Sequence, residues 1–343
     1  AIVLASPILP LAEGQEKPVV AVFAKGMTGM DQSLAWMMDN ITEVNWLVFN
    51  ETITYDNISG ADMLLVVQVD YYMNFTDDEI AAIQQWFNDG GKTLWLCGDA
   101  DYDINEFVRT LQANKIAEAV GSVLRVDLDE VKDTQSNCQE SYRVAGLIEP
   151  DSPLEFLADN VAKPVLFHGP APVIAYKNGE WLAIENDTQK PENVYRIAWT
   201  SEGGEIALYN EPPSPVHEVG ETGRFVLLAA EIFPDKENIV IVSGESPIDH
   251  YHGMWETEYH ETALDGPTFI TNLVLWAVGL KGTRIPVTTT PTTPTTPTTP
   301  TTPTTPTTPT TPAPPPGVDW TLIIGVIAIV MVATVIIILV RRR

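Results

Sequence analysis

An apolar run near the C-terminal end, from Leu322 to Val340, limits what this chain can be more than any other feature. It has 19 residues and no charge. At about 1.5 Å per residue such a helix spans about 29 Å, close to the thickness of a bilayer's hydrocarbon core. A buried helix of a soluble domain would carry a polar stripe, which this run lacks. Trp320 on one flank suits the headgroup region, and the arginines at 341–343 favour the cytoplasmic side. The sequence therefore predicts one transmembrane helix over residues 318–340, a cytoplasmic basic tail at 341–343, and an extracellular location for everything before it.

The segment before this helix, residues 285–317, is rich in threonine and proline. Eight Thr-Thr-Pro triplets run from Thr289 to Pro312. Proline at every third position removes amide donors and fixes φ, so neither a helix nor a sheet can form. The sequence predicts an extended polyproline-II stalk, about 90 Å long, whose threonines are candidates for O-linked sugar.

The opposite end of the sequence is also apolar. Residues 1–17 begin with small and aliphatic side chains and become polar after Ala12. This pattern indicates the remnant of a signal peptide or, alternatively, an N-terminal extension with a short first strand. Residues 18–284 remain as one extracellular domain.

The charge balance limits the classes of partner that this chain is expected to bind. The chain has 46 acidic and 19 basic residues, for a net charge of −27. A surface this acidic repels nucleic acid but attracts divalent cations and basic partners. The extracellular location also makes N-glycosylation plausible at five Asn-X-Ser/Thr sequons, which begin at Asn40, Asn50, Asn57, Asn74 and Asn186.

The two cysteines, Cys97 and Cys138, leave two alternatives open. An oxidising extracellular environment permits a disulfide between them, and such a bond would close a loop of about 40 residues. Pairing cannot be deduced from sequence, so two buried thiols are the other possibility.

The domain itself alternates between strand and helix patterns. Apolar runs such as Val19–Phe23, Met63–Val67 and Thr93–Cys97 indicate buried strands, and the helix between the last two begins with a capping box at Thr76 and Glu79. This order predicts an α/β fold with a mostly parallel sheet and helices on both faces. Residues 121–223 instead show short strand-like runs between Pro, Gly and Asn turns, which predict a β-rich insertion that adds antiparallel strands.

The order of these pieces resembles a known family. The motifs are TDDEIAAIQQWFNDGGKTLWL, the later FVLLAAEIF and ENIVIVSGES, and a final helix with Asn272 and Trp276. They resemble the non-catalytic glutamine-amidotransferase-like domains of gliding-motility ABC-transporter accessory proteins and their intraflagellar-transport relatives. The sequence departs from the family's Gly-Asp-Ser by having Glu245. The resemblance covers residues 18–280 and implies a flavodoxin-like fold with a binding or scaffolding role.

Catalytic members of the amidotransferase group use a nucleophilic cysteine at a strand-to-helix elbow, and Cys97 ends a predicted strand. Small residues are needed two positions before and after such a nucleophile, but Trp95 and Asp99 occupy them here. His250 is the candidate base for a Cys97 hydrolase. The sequence favours a buried or disulfide-bonded cysteine over this arrangement.

Two polar clusters are candidates for a divalent cation, either Ca²⁺ or Zn²⁺, although no cofactor is certain. The first offers oxygen ligands at alternate positions, and the second adds imidazoles after a later strand. Both follow strands that are expected to end at the same sheet edge, where α/β proteins usually bind ligands. The alternatives are helix capping by the first cluster and a polar surface loop for the second. The candidate ligands are Asp99, Asp101 and Asp103, and Asp249, His250 and His252.

Together these features predict a membrane-anchored, glycosylated cell-surface protein with a non-catalytic binding or envelope-structural domain. Thr-Pro stalks with a C-terminal anchor resemble those of archaeal envelope proteins. Expected partners are the lipid bilayer, through residues 318–340, and envelope or surface-layer proteins. The rival hypotheses are a Cys- or metal-dependent ectoenzyme and an accessory subunit of a membrane transporter that binds its permease.

Overall fold

The computed structural model describes residues 16–102, 107–248 and 252–285. The chain divides into two units, residues 1–288 and 289–343, and all described residues lie in the first. Its helices are α1 (Gln32–Asn40), α2 (Tyr55–Ile58), α3 (Asp77–Asn88), α4 (Phe107–Ala119) and α5 (Gly266–Ala277). Its strands are β1 (Val19–Lys25), β2 (Asn45–Phe49), β3 (Met63–Gln68), β4 (Thr93–Cys97), β5 (Leu124–Val126), β6 (Glu130–Asp133), β7 (Arg143–Ile148), β8 (Val165–His168), β9 (Val173–Lys177), β10 (Glu180–Leu182), β11 (Val194–Trp199), β12 (Gly204–Ala207), β13 (Thr222–Gly223), β14 (Val226–Phe233), β15 (Asn238–Ser243), β16 (Glu258–Tyr259) and β17 (Thr262–Ala263).

A nine-stranded sheet in the order β2-β1-β3-β4-β15-β14-β11-β7-β8 forms the centre of the domain. The first five strands in this order run parallel, and each later neighbour pairs antiparallel. The mixed α/β architecture that the sequence predicts is therefore present. Because β1, β3, β4 and β15 are parallel, their carboxyl ends lie along one edge of the sheet.

Alternation along β1 shows why these strands are apolar at every position. Val20 and Val22 pack into a core that includes α1 and α5, whereas Ala21 and Phe23 pack into a second core that includes α3 and α4. A parallel strand covered by helices on both faces has no solvent side, so both sets of alternating residues must be apolar. The five residues from Val20 to Ala24 are at most 1% exposed.

Helix α3 begins where the sequence predicts. The Thr76 side chain accepts from the amide of Glu79, and the Glu79 carboxylate accepts from the amide of Thr76. These reciprocal bonds satisfy amides that the first helical turn leaves without partners. Ile83, Trp86 and Phe87 lie on the buried face, which fixes the helix against the sheet.

The β-rich insertion does more than extend the sheet. Strands β7, β8 and β11 join the main sheet antiparallel, as the turn-rich pattern predicts. Two three-stranded sheets, β10-β9-β5 and β13-β12-β6, form separately. Strand β6 is missing from the sequence-based prediction, because its residues Glu130–Asp133 include two buried acids, a composition typical of an exposed turn.

The predicted stalk, the transmembrane helix, the basic tail and most of the N-terminal extension lie outside the described residues. Within the described ranges, none of the helices is both long enough and apolar enough to cross a bilayer. The membrane span at residues 318–340 stays a prediction.

Gly244, in the Ser-Gly-Glu-Ser motif, provides a test of the packing at the end of β15. A Cβ added there would lie 1.7 Å from the carbonyl oxygen of Ala171, whereas a Cβ on Gly60 would meet nothing within 4 Å. We expect Gly244→Ala to lower the free energy of unfolding by about 3 kcal/mol or more, because backbone must move to relieve the clash. Gly60→Ala is the matched control and should change it by less than about 1 kcal/mol. Chemical denaturation of both variants measures the difference, and equal stabilities would contradict this packing.

Candidate functional site

The carboxyl edge of the parallel strands carries a buried ion pair at the end of β1. Lys25 ends β1, and its Nζ lies 2.6 Å from Glu79 Oε1, with the two side chains 6% and 2% exposed. The same Glu79 closes the capping box of α3, and Lys25 and the Thr76 amide lower the pKa of its carboxyl against the opposing effect of burial. A paired and hydrogen-bonded charge of this kind tolerates burial, whereas removal of either partner leaves the other uncompensated.

A second ion pair follows β4. Asp99 Oδ2 accepts from Arg109 Nη1 at 2.6 Å, and Arg109 Nη2 also reaches the carbonyl of Val69 after β3. The Arg109 side chain is only 5% exposed. This contact holds α4 against the loops that follow β3 and β4, so the first candidate metal ligand has an internal structural partner.

Asp101 holds a distant segment of the chain. Its Oδ2 accepts from the backbone amides of Tyr209 and Asn210, both at 2.8 Å. Residues 209–217, which we name the strap, thereby lie against the loop after β4. Asp101 is fully buried, and because burial dominates, its pKa is raised despite these two hydrogen bonds.

Acids between β5 and β6 hold the other end of the strap. Asp129 Oδ1 accepts from the Ser214 amide at 3.0 Å, and Asp127 Oδ2 accepts from the Ser214 hydroxyl at 2.8 Å. His217 lies between two carboxylates, with Nδ1 2.6 Å from Asp127 and Nε2 3.0 Å from Glu185. Burial lowers the pKa of His217, but the two carboxylates prevail and raise it to about 10. His217 is therefore a buried cation that fastens the strap.

The acids around the strap exceed the positive charge that faces them. Asp101 Oδ1, Asp129 Oδ2 and Glu130 Oε2 are enclosed without a hydrogen-bond partner. Lys132 Nζ lies 3.8 Å from Glu130 Oε2, which is too long for a hydrogen bond. Burial, reinforced by the charge of Asp127, raises the pKa of Asp129 to about 7, and burial likewise raises that of Glu130 to about 7. We call Asp101, Asp127, Asp129 and Glu130 the strap acids.

The structure distributes the predicted metal ligands among different contacts. Asp99 contacts Arg109, Asp101 holds the strap, and His252 Nδ1 lies 2.8 Å from Glu256. Asp103, Asp249 and His250 lie outside the described residues. Strands β4 and β15 are neighbours, as expected, so the two clusters leave the same edge. In the part of the chain that the structure describes, no three His, Cys, Asp or Glu side chains are arranged to hold one metal ion.

Sequence reasoning missed the acids between β5 and β6. The segment Asp127-Leu-Asp129-Glu130 precedes Asp133. So many acids close together indicate a buried polar site only when the fold is known. Each of these side chains meets the strap or another loop more than 60 positions away in sequence, and Glu130 also faces its neighbour Lys132.

The predicted alternative of a disulfide is not realised, because no disulfide joins Cys97 to Cys138 in the structure. Cys97 is the last residue of β4, and Cys138 pairs through its amide with Arg143 at the start of β7. Four strand spacings separate β4 from β7, or about 19 Å, whereas a disulfide needs Cα atoms within about 7 Å. The cysteines are buried in different hydrophobic clusters.

All five sequon asparagines are exposed. Asn40 ends α1, Asn57 lies in α2, and Asn74 follows the loop after β3. The Asn50 amide nitrogen donates to the carbonyl of Met27. Exposure is the steric requirement for a glycan.

Comparisons with known proteins found similarity among solved structures. No protein-family model matches the chain, and no curated protein matches it. An IFT52 N-terminal domain has a TM-score of 0.48 at 10% identity over 76% of this chain and 97% of its own. A protein from Thermoplasma acidophilum that is described as part of a GMP synthase has a TM-score of 0.36 at 9% identity, over 76% of this chain and 94% of its own.

The raised pKa values of the strap acids Asp129 and Glu130 predict that the stability of the folded domain falls as the pH rises. The folded state keeps the protons of Asp129 and Glu130 up to about pH 7, whereas the unfolded chain releases them near pH 4. The free energy of unfolding therefore decreases between about pH 4 and pH 7. The raised pKa of His217 acts in the same direction, since its contribution is complete below about pH 6.5 and is lost towards about pH 10. Asp129→Asn should raise the free energy of unfolding above neutral pH by about 1–3 kcal/mol and flatten this profile, as it removes a desolvated charge.

Asp133→Asn is the matched control. Asp133 is equally buried, but its two oxygens accept from Gln135, Ser136 and Ser201. We expect this variant to lose about 1–3 kcal/mol. Urea denaturation across the pH range measures both variants. A destabilised Asp129→Asn above neutral pH would show that the Asp129 charge is compensated.

Proposed function

We propose that this chain displays a non-catalytic binding domain on the cell surface, carried by a Thr-Pro stalk above a single C-terminal membrane helix. The strand order β2-β1-β3-β4-β15 supports a flavodoxin-like core for the domain, since that doubly wound fold has the same order. The anchor and stalk rest on the sequence of residues 285–343. The nature of the domain rests on the structure of its carboxyl edge.

The observation that carries the non-catalytic assignment is that the protein's own side chains fill this edge. In α/β sheets the crevice outside the carboxyl ends of the strands is where substrates usually bind. Here Lys25 with Glu79, and Arg109 with Asp99, neutralise one another across that edge. The strap is fastened over the neighbouring loops by four buried acids. These contacts favour a stabilised scaffold over an open reaction site.

The environment of Cys97 supports the same assignment. It is 4% exposed and pairs in register with Ser243 of β15. Trp95, two residues earlier, is fully buried and donates its indole N–H to the Ser243 hydroxyl at 2.9 Å. Cys97 thus lies at the end of a regular strand in a close-packed part of the sheet. A nucleophile elbow, in contrast, is a sharp turn that exposes its side chain.

Thiol labelling tests the catalytic alternative. Because Cys97 and Cys138 are 4% and 0% exposed, a maleimide should label neither thiol in the folded protein and both in denaturant. A Tyr72→Cys variant is the positive control, since that position is 76% exposed and should react under native conditions. Rapid labelling of Cys97 in the folded protein would support a cysteine-dependent ectoenzyme instead.

Protease treatment of intact cells that express the full chain tests the display. We expect cleavage from outside in or before the stalk, and retention of the 341–343 tail on a protected membrane fragment. Mass mapping of the released domain should find glycan on one or more of the exposed sequons at Asn40, Asn50, Asn57, Asn74 and Asn186. A protected, sugar-free domain together with digestion of the basic tail would reverse the proposed orientation.

A further inference from the structure

A groove lies between α4 and the outer face of the β10-β9-β5 sheet, and it is also lined by Leu128, beside the strap acids, and by Pro215 of the strap. Its volume is about 320 Å³, which is at the lower end of the range for small-ligand sites. Leu111, Asn114, Lys115 and Glu118 line one wall from α4, and Trp181 and Arg125 line the other from the sheet. The groove is therefore large enough for one ring-sized ligand.

The pleat of the small sheet determines which side chains face this groove. Arg125 on β5 is opposite Ile174 on β9, and Trp181 on β10 is opposite Tyr176 on β9. Since alternate residues of a strand share a face, Arg125, Ile174, Tyr176 and Trp181 lie on one face of the sheet. The opposite face, with Leu124, Val173 and Ala175, packs into the core.

Arg125 is a buried cation whose hydrogen bonds are incomplete. The residue is 7% exposed, and its Nη1 donates to the carbonyls of Ser122 and Leu124, both at 2.7 Å. Its Nε and Nη2 have no acceptor among the described residues, and they are not among the atoms enclosed by protein. Because the residue lines the groove, the groove is the route by which an acceptor can approach these nitrogens. The two carbonyl bonds fix the guanidinium plane, so an edge with two donors is held in place for a ligand.

The charges around Arg125 leave this edge available. Glu118, Glu231 and Tyr176 attract the guanidinium, but burial outweighs them and lowers the pKa of Arg125. Within the described chain no carboxylate forms an ion pair with it. Glu231 is engaged by Ser122, Val123 and Asn193. A carboxylate from outside would complete the missing bonds, since two parallel N–H groups match its two oxygens.

The aromatic side of the groove adds a second requirement. Trp181 and Tyr176 contact each other with ring centroids 4.7 Å apart, and they remain 43% and 38% exposed. Large aromatic side chains left this exposed, beside a buried polar anchor, are the usual arrangement for holding a ring while the polar group orients it.

We propose that this groove binds a small organic anion in which a carboxylate is attached to a ring with an apolar face. The Arg125 guanidinium holds the carboxylate, and Trp181 packs against the ring. Two sources share this chemistry: an acidic sugar unit of a surface glycan, and a free aromatic acid. The proposal goes beyond the display function above, because binding by the purified chain does not depend on where the chain resides.

Calorimetric titration of the full chain in detergent tests the groove with two anions, glucuronate and benzoate, and their neutral counterparts, glucose and benzamide. We expect at least one anion to bind with a Kd below about 1 mM and at least about tenfold more tightly than its neutral counterpart. Preference for glucuronate identifies the sugar class, and preference for benzoate identifies the aromatic class. Failure of both anions to bind at about 10 mM would overturn the proposal.

Variants locate the binding. Arg125→Lys keeps the charge but loses the two-donor edge, and Trp181→Ala removes the packing surface from an exposed position without disturbing the core. Each should weaken anion binding by about tenfold or more. Trp36→Ala is the matched control, since Trp36 on α1 is 42% exposed and lies outside the groove, and it should bind as the unmodified chain does. If Arg125→Lys fails to fold, Trp181→Ala decides alone. Equal binding by Trp181→Ala and Trp36→Ala would overturn the assignment.

Discussion

Burial of the parallel strands on both faces is the constraint on which the rest of this domain depends. Strands β1, β3, β4 and β15 have almost no exposed residue, so helices must cover each face, and α1 with α5 and α3 with α4 do so. Once these layers are packed, the carboxyl ends of the strands become a single edge. Lys25 can be buried there only because Glu79, fixed by its capping box, reaches it. The Glu79 side chain thus both caps α3 and compensates the buried charge of Lys25.

The second main feature of this domain is the way in which its buried carboxylates are stabilised. With 46 acids against 19 bases, carboxylates outnumber the available cations, and several are buried. They are used as acceptors for backbone amides and hydroxyls of the strap, and the free energy required for their desolvation is reduced when Asp129 and Glu130 keep their protons. His217, held between Asp127 and Glu185, supplies one of the few buried positive charges. Deprotonation of Asp129, Glu130 and His217 therefore lowers the free energy of unfolding as the pH rises.

The same charge balance makes Arg125 unusual. Most bases with buried side chains have a carboxylate partner, as Lys25, Arg109 and Lys281 do. Arg125 is held by carbonyl oxygens instead, beside exposed aromatic rings. The proposed anion groove lies beside α4, whereas the ion pairs of Lys25 and Arg109 lie at the carboxyl edge of the parallel strands.

Local pattern determined a large part of this protein. The apolar runs placed β1, β3 and β4 to within about two residues, and Thr76 with Glu79 placed the start of α3, because two-sided burial and helix capping depend on residues close together in sequence. Composition likewise predicts the membrane helix and the stalk, which lie outside the described residues. Tertiary structure alone decided the partners. Asp99 and Asp101 are two positions apart, yet one contacts Arg109 and the other holds Asn210. Strand β6 forms despite its acids because Ser201 and Tyr209, from distant segments, contact Asp133 and Glu130. Four strand spacings keep Cys97 away from Cys138. The contacts that give these residues their roles join segments up to about a hundred positions apart, and no local periodicity encodes which distant segment a buried charge will meet.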